Sequence, residues 1–317
     1  MGATVAASLS SQAVTVRGRV LLGGRDTVPL AGAWAVLHRV LRDSGGPLDS
    51  ARTDRAGRYR IPLARVDTSA VYVVSAWYDS LAYFSMPLNV VGRPAAEVEN
   101  LIVYRTTKRL PPIRLARRLL TIARPGADGT RDVLEILELE NTGLTTRITD
   151  DTLVPTWAGA IPGTAIQFQA GQGDISPDAL QRRGDNVVVL GPIPPGRPKQ
   201  LSYSYVLPAG SNALAVPIDQ WTKEVNLLIE DTAAVVTAPP PGVESIGVQG
   251  IEQRRFAAYR GGPLQGGAAL TIALPQGAFR PQMLLPYVIG VLAAAMVAAL
   301  VWALKRKPSA VSAQRSA

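Results

Sequence analysis

The sequence predicts an all-β protein with two β-sandwich domains in tandem, followed by a single C-terminal transmembrane α-helix. Short segments with alternating apolar side chains recur between glycine, proline and asparagine turns, which is typical of strands. The 25 prolines and 29 glycines also suit many short strands better than long helices. Near the end of the chain, however, residues 283–304 form a run without a single charge.

Residues 14–104 are predicted to form the first sandwich. The segments VTVRGRVLL, AWAVLHRV, VYVVSAWY and LAYFSMPLNV supply strands. Between them, residues 53–59 read TDRAGRY, which predicts the tip of a β-hairpin. Asp54 can accept hydrogen bonds from backbone amides that follow it, and Gly57 supplies a position with positive φ.

These segments resemble a known domain. The order G-R-V, then P-L-A-G-A before a strand, then T-D-x-x-G-x-Y at 53–59 is similar to the carboxypeptidase-regulatory-like domain, a transthyretin-like β-sandwich. The stretches WAVLHRV, GPLDS, VYVVSAWY and LAYFSMPL resemble bacterial envelope proteins that carry this domain ahead of a C-terminal span. The resemblance implies a sandwich fold and a role without catalysis.

The rest of the extramembrane chain is predicted as a connector, a second sandwich and a juxtamembrane element. Residues 105–118, RTTKRLPPIRLARR, carry six basic residues and no acid. They are interpreted either as a solvated linker or as a contact site for anionic headgroups or an acidic partner, through Arg114, Arg117 and Arg118. Alternating segments over 119–236 predict the second sandwich. The proline-rich break and β element at 237–282 either complete that domain or form a stalk.

The uncharged run predicts a membrane span and its orientation. As a helix it measures about 33 Å, enough to cross a hydrocarbon core of about 30 Å. Tyr287 and Trp302 lie near its ends, where aromatic rings favour the membrane interface. Three basic residues follow it directly: Lys305, Arg306 and Lys307. The positive-inside rule therefore predicts a cytoplasmic tail at 305–317 and periplasmic domains before the span. A buried core helix is the alternative.

Export of the N-terminal bulk requires a signal, and the beginning of the chain is ambiguous on this point. Residues 1–13 have no basic start, but Ser11-Gln12-Ala13 resembles a signal-peptidase site, which predicts a leader remnant or a disordered N-terminus. The alternative is a tail-anchored protein with its bulk in the cytoplasm. Within the span, small residues recur every fourth position at Gly290, Ala294 and Ala298. They predict close helix packing, unless alanine merely fills the helix.

Candidates for catalysis are few. The chain has no cysteine and one histidine, His38, and it contains no nucleophile, phosphate-binding or zinc-binding motif. Glu138 and Glu140 share a strand face, but a glycosidase pair normally spans a cleft. Calcium in the loop 171–178 is disfavoured because the spacing of a calcium loop is absent. We therefore expect no catalytic residue, cofactor or metal. The net charge of +9 occurs without a nucleic-acid-binding motif, so we expect no nucleic-acid partner either.

Aromatic residues are the remaining candidates for binding. Trp77-Tyr78 and Tyr83-Phe84 are adjacent pairs, so one ring of each pair should face the core and its neighbour should face outwards. An outward ring can anchor a partner or a sugar, or pack against the second domain. The function predicted from sequence is an accessory subunit of a larger respiratory, photosynthetic or cytochrome-maturation membrane complex. The alternative is an extracytoplasmic module that binds carbohydrate or peptide.

Overall fold

Alternating polarity along nine strands builds two layers in the first domain. The structure, a computed structural model, describes residues 13–109, 111–151 and 153–275. In one layer β1 (Val14–Leu22) pairs with β2 (Val28–Pro29), β5 (Arg58–Leu63), β8 (Ala95–Glu97) and β9 (Leu101–Val103). The other layer contains, in spatial order, β4 (Gly45–Arg52), β3 (Trp34–Val40), β6 (Val71–Tyr78) and β7 (Leu81–Phe84).

The two layers enclose one apolar core. Val16 and Ile61 from the first layer and Leu37 and Val74 from the second are fully buried within it. On each strand the next residue points away from this core, because successive side chains of a strand alternate between its faces. Burial of one face therefore fixes which residues the other face presents.

The TDRAGRY turn forms with the predicted chemistry but in a different place. The Asp54 carboxylate accepts the amides of Ala56 and Arg58, both at 2.8 Å, and Gly57 has φ of +73°. A Cβ at Gly57 would lie 2.5 Å from the carbonyl oxygen of Val20. The hairpin prediction is wrong, because β4 pairs with β3 whereas β5 pairs with β1. The turn instead carries the chain from one layer to the other.

The connector is shorter than the sequence suggested. β10 (Thr106–Thr107) pairs in parallel with β13 (Thr146–Arg147) of the second domain. β11 (Ile113–Ile122) begins after five intervening residues, so residues 113–118 of the predicted connector 105–118 belong to a sheet strand. Alternation of buried and exposed positions along IRLARRLLTI explains this difference, since the arginines occupy mainly the less buried positions.

A seven-stranded sheet forms the main layer of the second domain. In spatial order it contains β15 (Ile166–Ala170), β18 (Lys199–Leu207), β12 (Arg131–Asn141), β11, β20 (Val225–Ile229), β23 (Arg254–Gly261) and β22 (Val243–Ile251). Two three-stranded sheets share its apolar core: β14 (Trp157–Ala160), β17 (Asn186–Val189) and β16 (Leu180–Arg183), and β19 (Ala213–Ile218), β24 (Ala268–Ala273) and β21 (Val235–Thr237).

The described residues contain no α-helix, only a 3-10 turn at Pro177–Ala179, so the all-β prediction is confirmed there. None of them forms a helix that could cross a membrane. The predicted span 283–304, with Tyr287, Trp302 and the small residues Gly290, Ala294 and Ala298, lies outside the described residues. The same holds for Lys305, Arg306 and Lys307, and for residues 1–12 of the predicted leader.

The segment after the proline-rich break completes the second domain, which excludes the stalk alternative for residues 243–273. β22 and β23 extend the seven-stranded sheet beyond β20, and β24 pairs with both β19 and β21. β24 runs away from the connector, and Leu274 donates its amide to the carbonyl of Asn212 at 2.8 Å. The described chain thus leaves the second domain at the end opposite to the one where it entered.

A buried ion pair occupies the interior of this domain. Arg118 Nε donates to Glu135 Oε2 at 2.8 Å, and Nη2 lies 2.7 Å from the same oxygen, although at an angle too poor for a second hydrogen bond. Tyr205 donates to Glu135 Oε1 at 3.1 Å, and Arg118 Nη1 donates to the carbonyl of Pro217 at 2.8 Å. Burial alone would lower the pKa of Arg118, but the Glu135 carboxylate raises it above its ordinary value.

The Arg118–Glu135 pair corrects the interpretation of Arg118 as a partner-binding residue. Its side chain is only 3% exposed, and Glu135 is fully buried. A guanidinium already neutralised inside the sheet has no means of reaching an acidic surface. Its role is to satisfy the charge of Glu135.

Replacing Glu135 by Gln should lower the free energy of unfolding of the full chain by about 3–5 kcal/mol, because Arg118 would remain buried without its counter-charge. Urea unfolding followed by tryptophan fluorescence measures this. Glu138→Gln is the matched control on the same strand, since its partner Arg117, at 3.1 Å, is half-exposed. The control should lose less than about 1 kcal/mol. Equal losses would contradict a special role for the buried pair.

Candidate binding surface

The outer face of the sheet β4-β3-β6-β7 presents large apolar side chains to solvent. Because Ala35, Leu37, Val74 and Ala76 point into the core, their neighbours on each strand point outwards. We call this surface the aromatic face. It consists of Trp34, Val36, His38, Val40, Val71, Val73, Trp77 and Phe84.

Three aromatic rings dominate the face. Trp34 is 46% exposed, Trp77 55% and Phe84 59%. Ala35 pairs with Ala76, so Trp34 and Trp77 lie one residue further along, opposite each other on neighbouring strands. The guanidinium of Arg52 on β4 lies 4.7 Å from the centre of the Trp34 ring, a cation–π contact that orients the indole at the edge of the face.

His38 occupies the middle of the aromatic face. Its Nε2 lies 2.8 Å from the hydroxyl of Ser75, which is fully buried beneath it. The imidazole also packs at a tilt against Phe84, with ring centroids 5.8 Å apart. Burial lowers the pKa of His38 below its ordinary value, so the neutral imidazole is favoured. Ser75 is inaccessible to a substrate, so this pair has the geometry of a positioning contact.

The adjacent aromatic pairs behave as the sequence predicted. Trp77 and Phe84 face outwards, whereas Tyr78 packs against the core. Tyr83 also points away from solvent, and its hydroxyl lies 2.8 Å from Thr146 Oγ1 and donates to the carbonyl of Tyr104 at 3.0 Å. The outward position of Trp34 was not assigned from sequence. The alternation of AWAVLHRV could have indicated it, because Trp34 must face outwards when Ala35 and Leu37 face the core.

Polar contacts of Asp79, just before β7, and of Tyr83 within it connect the two domains. The Asp79 carboxylate accepts the backbone amide of Thr106 at 2.6 Å and its hydroxyl at 2.9 Å. These two hydrogen bonds lower the pKa of Asp79. Together with the contact between Tyr83 and Thr146, they hold β7, the edge strand of the sheet β4-β3-β6-β7, against the connector and the second domain.

The predicted basic contact residues all lie on β11, but each has a different partner and they form no shared free patch. Arg114 lies over the ring of Trp221, 5.1 Å from its centre. Arg117 donates to Glu138 at 3.1 Å, and Arg118 is buried. Each guanidinium is therefore engaged within the second domain.

No cluster of side chains that could hold a metal ion is found within residues 13–275 as described. No three side chains among His, Asp and Glu converge there on a common point. Glu138 is engaged with Arg117, and in the sheet register Glu140 lies opposite Arg114.

Comparisons with known proteins give weak likenesses only. No protein-family profile matches the sequence, and no curated protein sequence is similar to it. Among solved structures, the major plantain pollen allergen Pla l 1 matches at 16% identity over 29% of this chain and 94% of its own, with a TM-score of 0.22. An M1 zinc metallopeptidase from Deinococcus radiodurans matches at 12% identity over 51% and 42%, with a TM-score of 0.32.

The major pilin SpaA of Corynebacterium diphtheriae matches at 10% identity over 67% of this chain and 60% of its own, with a TM-score of 0.21. This chain thus spans less than two thirds of the length of the peptidase and of the pilin. At these scores the likenesses carry no argument about function.

The single histidine allows a direct measurement of its environment. The Cε1 proton of His38 should titrate with a pKa below its ordinary 6.5, because the charged form is desolvated on the aromatic face. Since the folded-state pKa is lowered, stability rises with pH up to the unfolded value and is lost as pH falls through the folded one. Proton NMR of the full chain in micelles provides the measurement.

Phe84→Ala is the comparison for the His38 titration, because it uncovers the imidazole without touching the Ser75 contact. The pKa should then move back towards 6.5. A value at or above 6.5 in the unaltered chain contradicts the burial of His38.

Proposed function

We propose that this chain is a non-catalytic, membrane-anchored extracytoplasmic adaptor, an accessory subunit that stabilises a larger integral membrane protein complex. The aromatic face is its docking surface for a protein partner. The single observation that carries the proposal is the exposure of Trp34, Trp77 and Phe84 together on one sheet face. An apolar patch of this kind on a soluble domain marks an interaction site.

The composition of the face favours protein over other ligands. Trp and Arg are enriched at the energetic centres of protein interfaces, and Trp34 here stacks with Arg52. At the other end of the same two strands lie Val40 and Val71, which pair with each other and are both more than 40% exposed. When an apolar partner surface covers these valines, their side chains lose contact with water. This contributes roughly 25 cal/mol to the binding free energy per Å² of apolar surface buried.

A carbohydrate or peptide ligand is the second candidate, because two neighbouring indoles can act as stacking platforms for sugar rings. A sugar also requires polar side chains around the platform to bind its hydroxyls. Arg52, opposite Trp34, is already stacked on its ring, and Ala82, opposite Trp77, is apolar. The hydroxyl of Ser75 is buried against His38. These neighbours support the protein partner. The resemblance to the carboxypeptidase-regulatory-like domain supports a role without catalysis in either case.

The second domain supports the adaptor role as a spacer. The connector enters its sheet at one end of β11, and the described chain leaves at the other end, beyond β24. Ten residues of β11 at about 3.3 Å each separate these ends by roughly 30 Å. The first domain and Pro275, the last described residue, therefore lie at opposite ends of β11, which supports the spacer role.

A photo-crosslinking amino acid placed at Trp77 should give one discrete product with a partner protein in native membranes, because the interface covers this position. Position Arg60, which is exposed on the opposite layer of the first domain, is the control and should give none. Trp34→Ala should reduce the product at position 77 several-fold, whereas Leu153→Ala, an 82% exposed apolar residue of the second domain, should not.

Equal products at 77 and 60, or none at either, would refute docking on the aromatic face. Specific binding on a glycan array that is lost in Trp34→Ala and Trp77→Ala would establish the carbohydrate alternative instead.

Membrane attachment gives a separate prediction. Protease added to spheroplasts should digest residues 1–282, because the basic stop at Lys305, Arg306 and Lys307 favours a cytoplasmic tail. Gly290→Leu with Ala294→Leu should weaken co-purification with a membrane partner in mild detergent, since larger side chains hold helices apart. Protection of the bulk from protease would show the inverted topology, and unchanged co-purification would leave the span a plain anchor.

A further inference from the structure

A cleft of about 650 Å³ opens between β7 and the second domain. Its lining includes six consecutive residues, 81–86. Residues on one face of a strand would line a cavity at every second position only. Six in succession therefore mean that the backbone edge of β7, rather than one of its faces, borders the cleft.

The hydrogen-bond register shows which backbone groups of this edge are free. Ser85 donates its amide to the carbonyl of Val74, so Ser85, Tyr83 and Leu81 form the hydrogen-bonded pairs with β6. The amides and carbonyls of Ala82 and Phe84 point the other way, towards the cleft. Among the described residues these groups have no hydrogen-bond partner.

The opposite wall does not compete for these backbone groups, and among the described residues its one hydrogen bond to the 81–86 segment is from Arg197 Nη1 to Met86 Sδ, at 3.0 Å. It is formed by the loop Gly191–Arg197, in which Pro192, Pro194 and Pro195 line the cleft and have no amide hydrogen to offer. Ile102 and Tyr104 also line the cleft. The cleft thus combines one edge of free backbone groups with apolar walls, which is the construction of a site for strand addition.

Charge at the second-domain side indicates what else the occupant carries. Arg197 and Lys199 both line the cleft, and neither has a carboxylate within ion-pair distance among the described residues. Of the two acids that line it, Asp174 already accepts the amide of Gln200 at 3.0 Å. The other acid, Glu99, lies on the first-domain side, so the second-domain wall carries one net positive charge. An acidic side chain of the occupant would neutralise it.

We propose that the β7 edge binds an extended peptide segment of a partner protein. This segment adds as a fifth strand to the sheet β4-β3-β6-β7. Its alternate apolar side chains pack on Tyr104 and the prolines, and an acidic residue meets Arg197 or Lys199. The site stands independently of docking on the aromatic face, because it rests on backbone groups rather than on exposed rings.

Two longer edge strands are less suited to strand addition. In β4 the register with β3 shifts between Leu37 and His38. β22 is nine residues long, but its register with β23 shifts between Ser245 and Gly247, and Gly247 has φ of +82°. A bulge of this kind bends an edge and interrupts pairing with a further strand. The four residues of β7 pair with β6 without such a shift.

The test starts from the full chain in nanodiscs and a phage library of short random peptides. Enriched sequences should alternate apolar residues and contain an acidic one. A fluorescein-labelled synthetic peptide of the enriched sequence should then bind about tenfold more weakly to Ala82→Pro, because proline removes the free amide and blocks the neighbouring strand. Ala82→Val keeps the amide and is the matched control, with affinity retained.

A peptide N-methylated at alternate amides separates strand addition from binding by side chains alone, and it should not bind. The proposal is overturned if the methylated peptide binds as tightly as the unmethylated one. It is also overturned if Ala82→Pro, with the melting temperature of the unaltered chain, binds the peptide as tightly as that chain does, or if the library shows no enrichment. Binding should survive Trp34→Ala. Failure of the aromatic-face docking and failure of this site are therefore observed separately.

Discussion

The two-residue period of the β-strand is the constraint on which this structure depends. In the first domain the burial of Ala35, Leu37, Val74 and Ala76 forces their neighbours to the opposite side of the same sheet. That side has no covering layer among the described residues, so its indoles and valines remain in water. Such an exposed apolar face lowers the solubility of a protein, and its presence supports the docking role that we propose.

The same period has a different consequence in the second domain, where the seven-stranded sheet shares its core with two smaller sheets. Glu135 on β12 takes a position that is buried, and Arg118 on the neighbouring strand β11 is buried beside it. Each charge alone would be expensive to desolvate, so the pair is stable only because both are present and hydrogen-bonded. Tyr205 and the carbonyl of Pro217 complete the cluster.

Strand ends and edges, rather than strand faces, connect the two domains. Asp79 and Tyr83 at β7 bind Thr106 and Thr146, and these contacts hold the edge of the aromatic layer beside the proline-lined loop of the second domain. The cleft exists because this edge is held close to the loop without being paired to it. Both proposed binding sites thus share β7: the ring of Phe84 belongs to one, and its backbone groups belong to the other.

The sequence by itself determined the all-β class, the positions of most strands and the Asp54–Gly57 turn. It also determined that one ring of each pair, Trp77-Tyr78 and Tyr83-Phe84, faces outwards. These properties depend on residues close to one another in the chain. Which strands become neighbours was decided only by tertiary structure. The Asp54–Gly57 turn connects the two layers of the first domain. Arg118 forms an ion pair with Glu135 and lies opposite Val225 in the sheet register. β22 and β23 extend the sheet that contains β11. Alternation specifies a buried face, but it leaves the partner strand unspecified, because pairing is settled by packing between segments up to about a hundred residues apart.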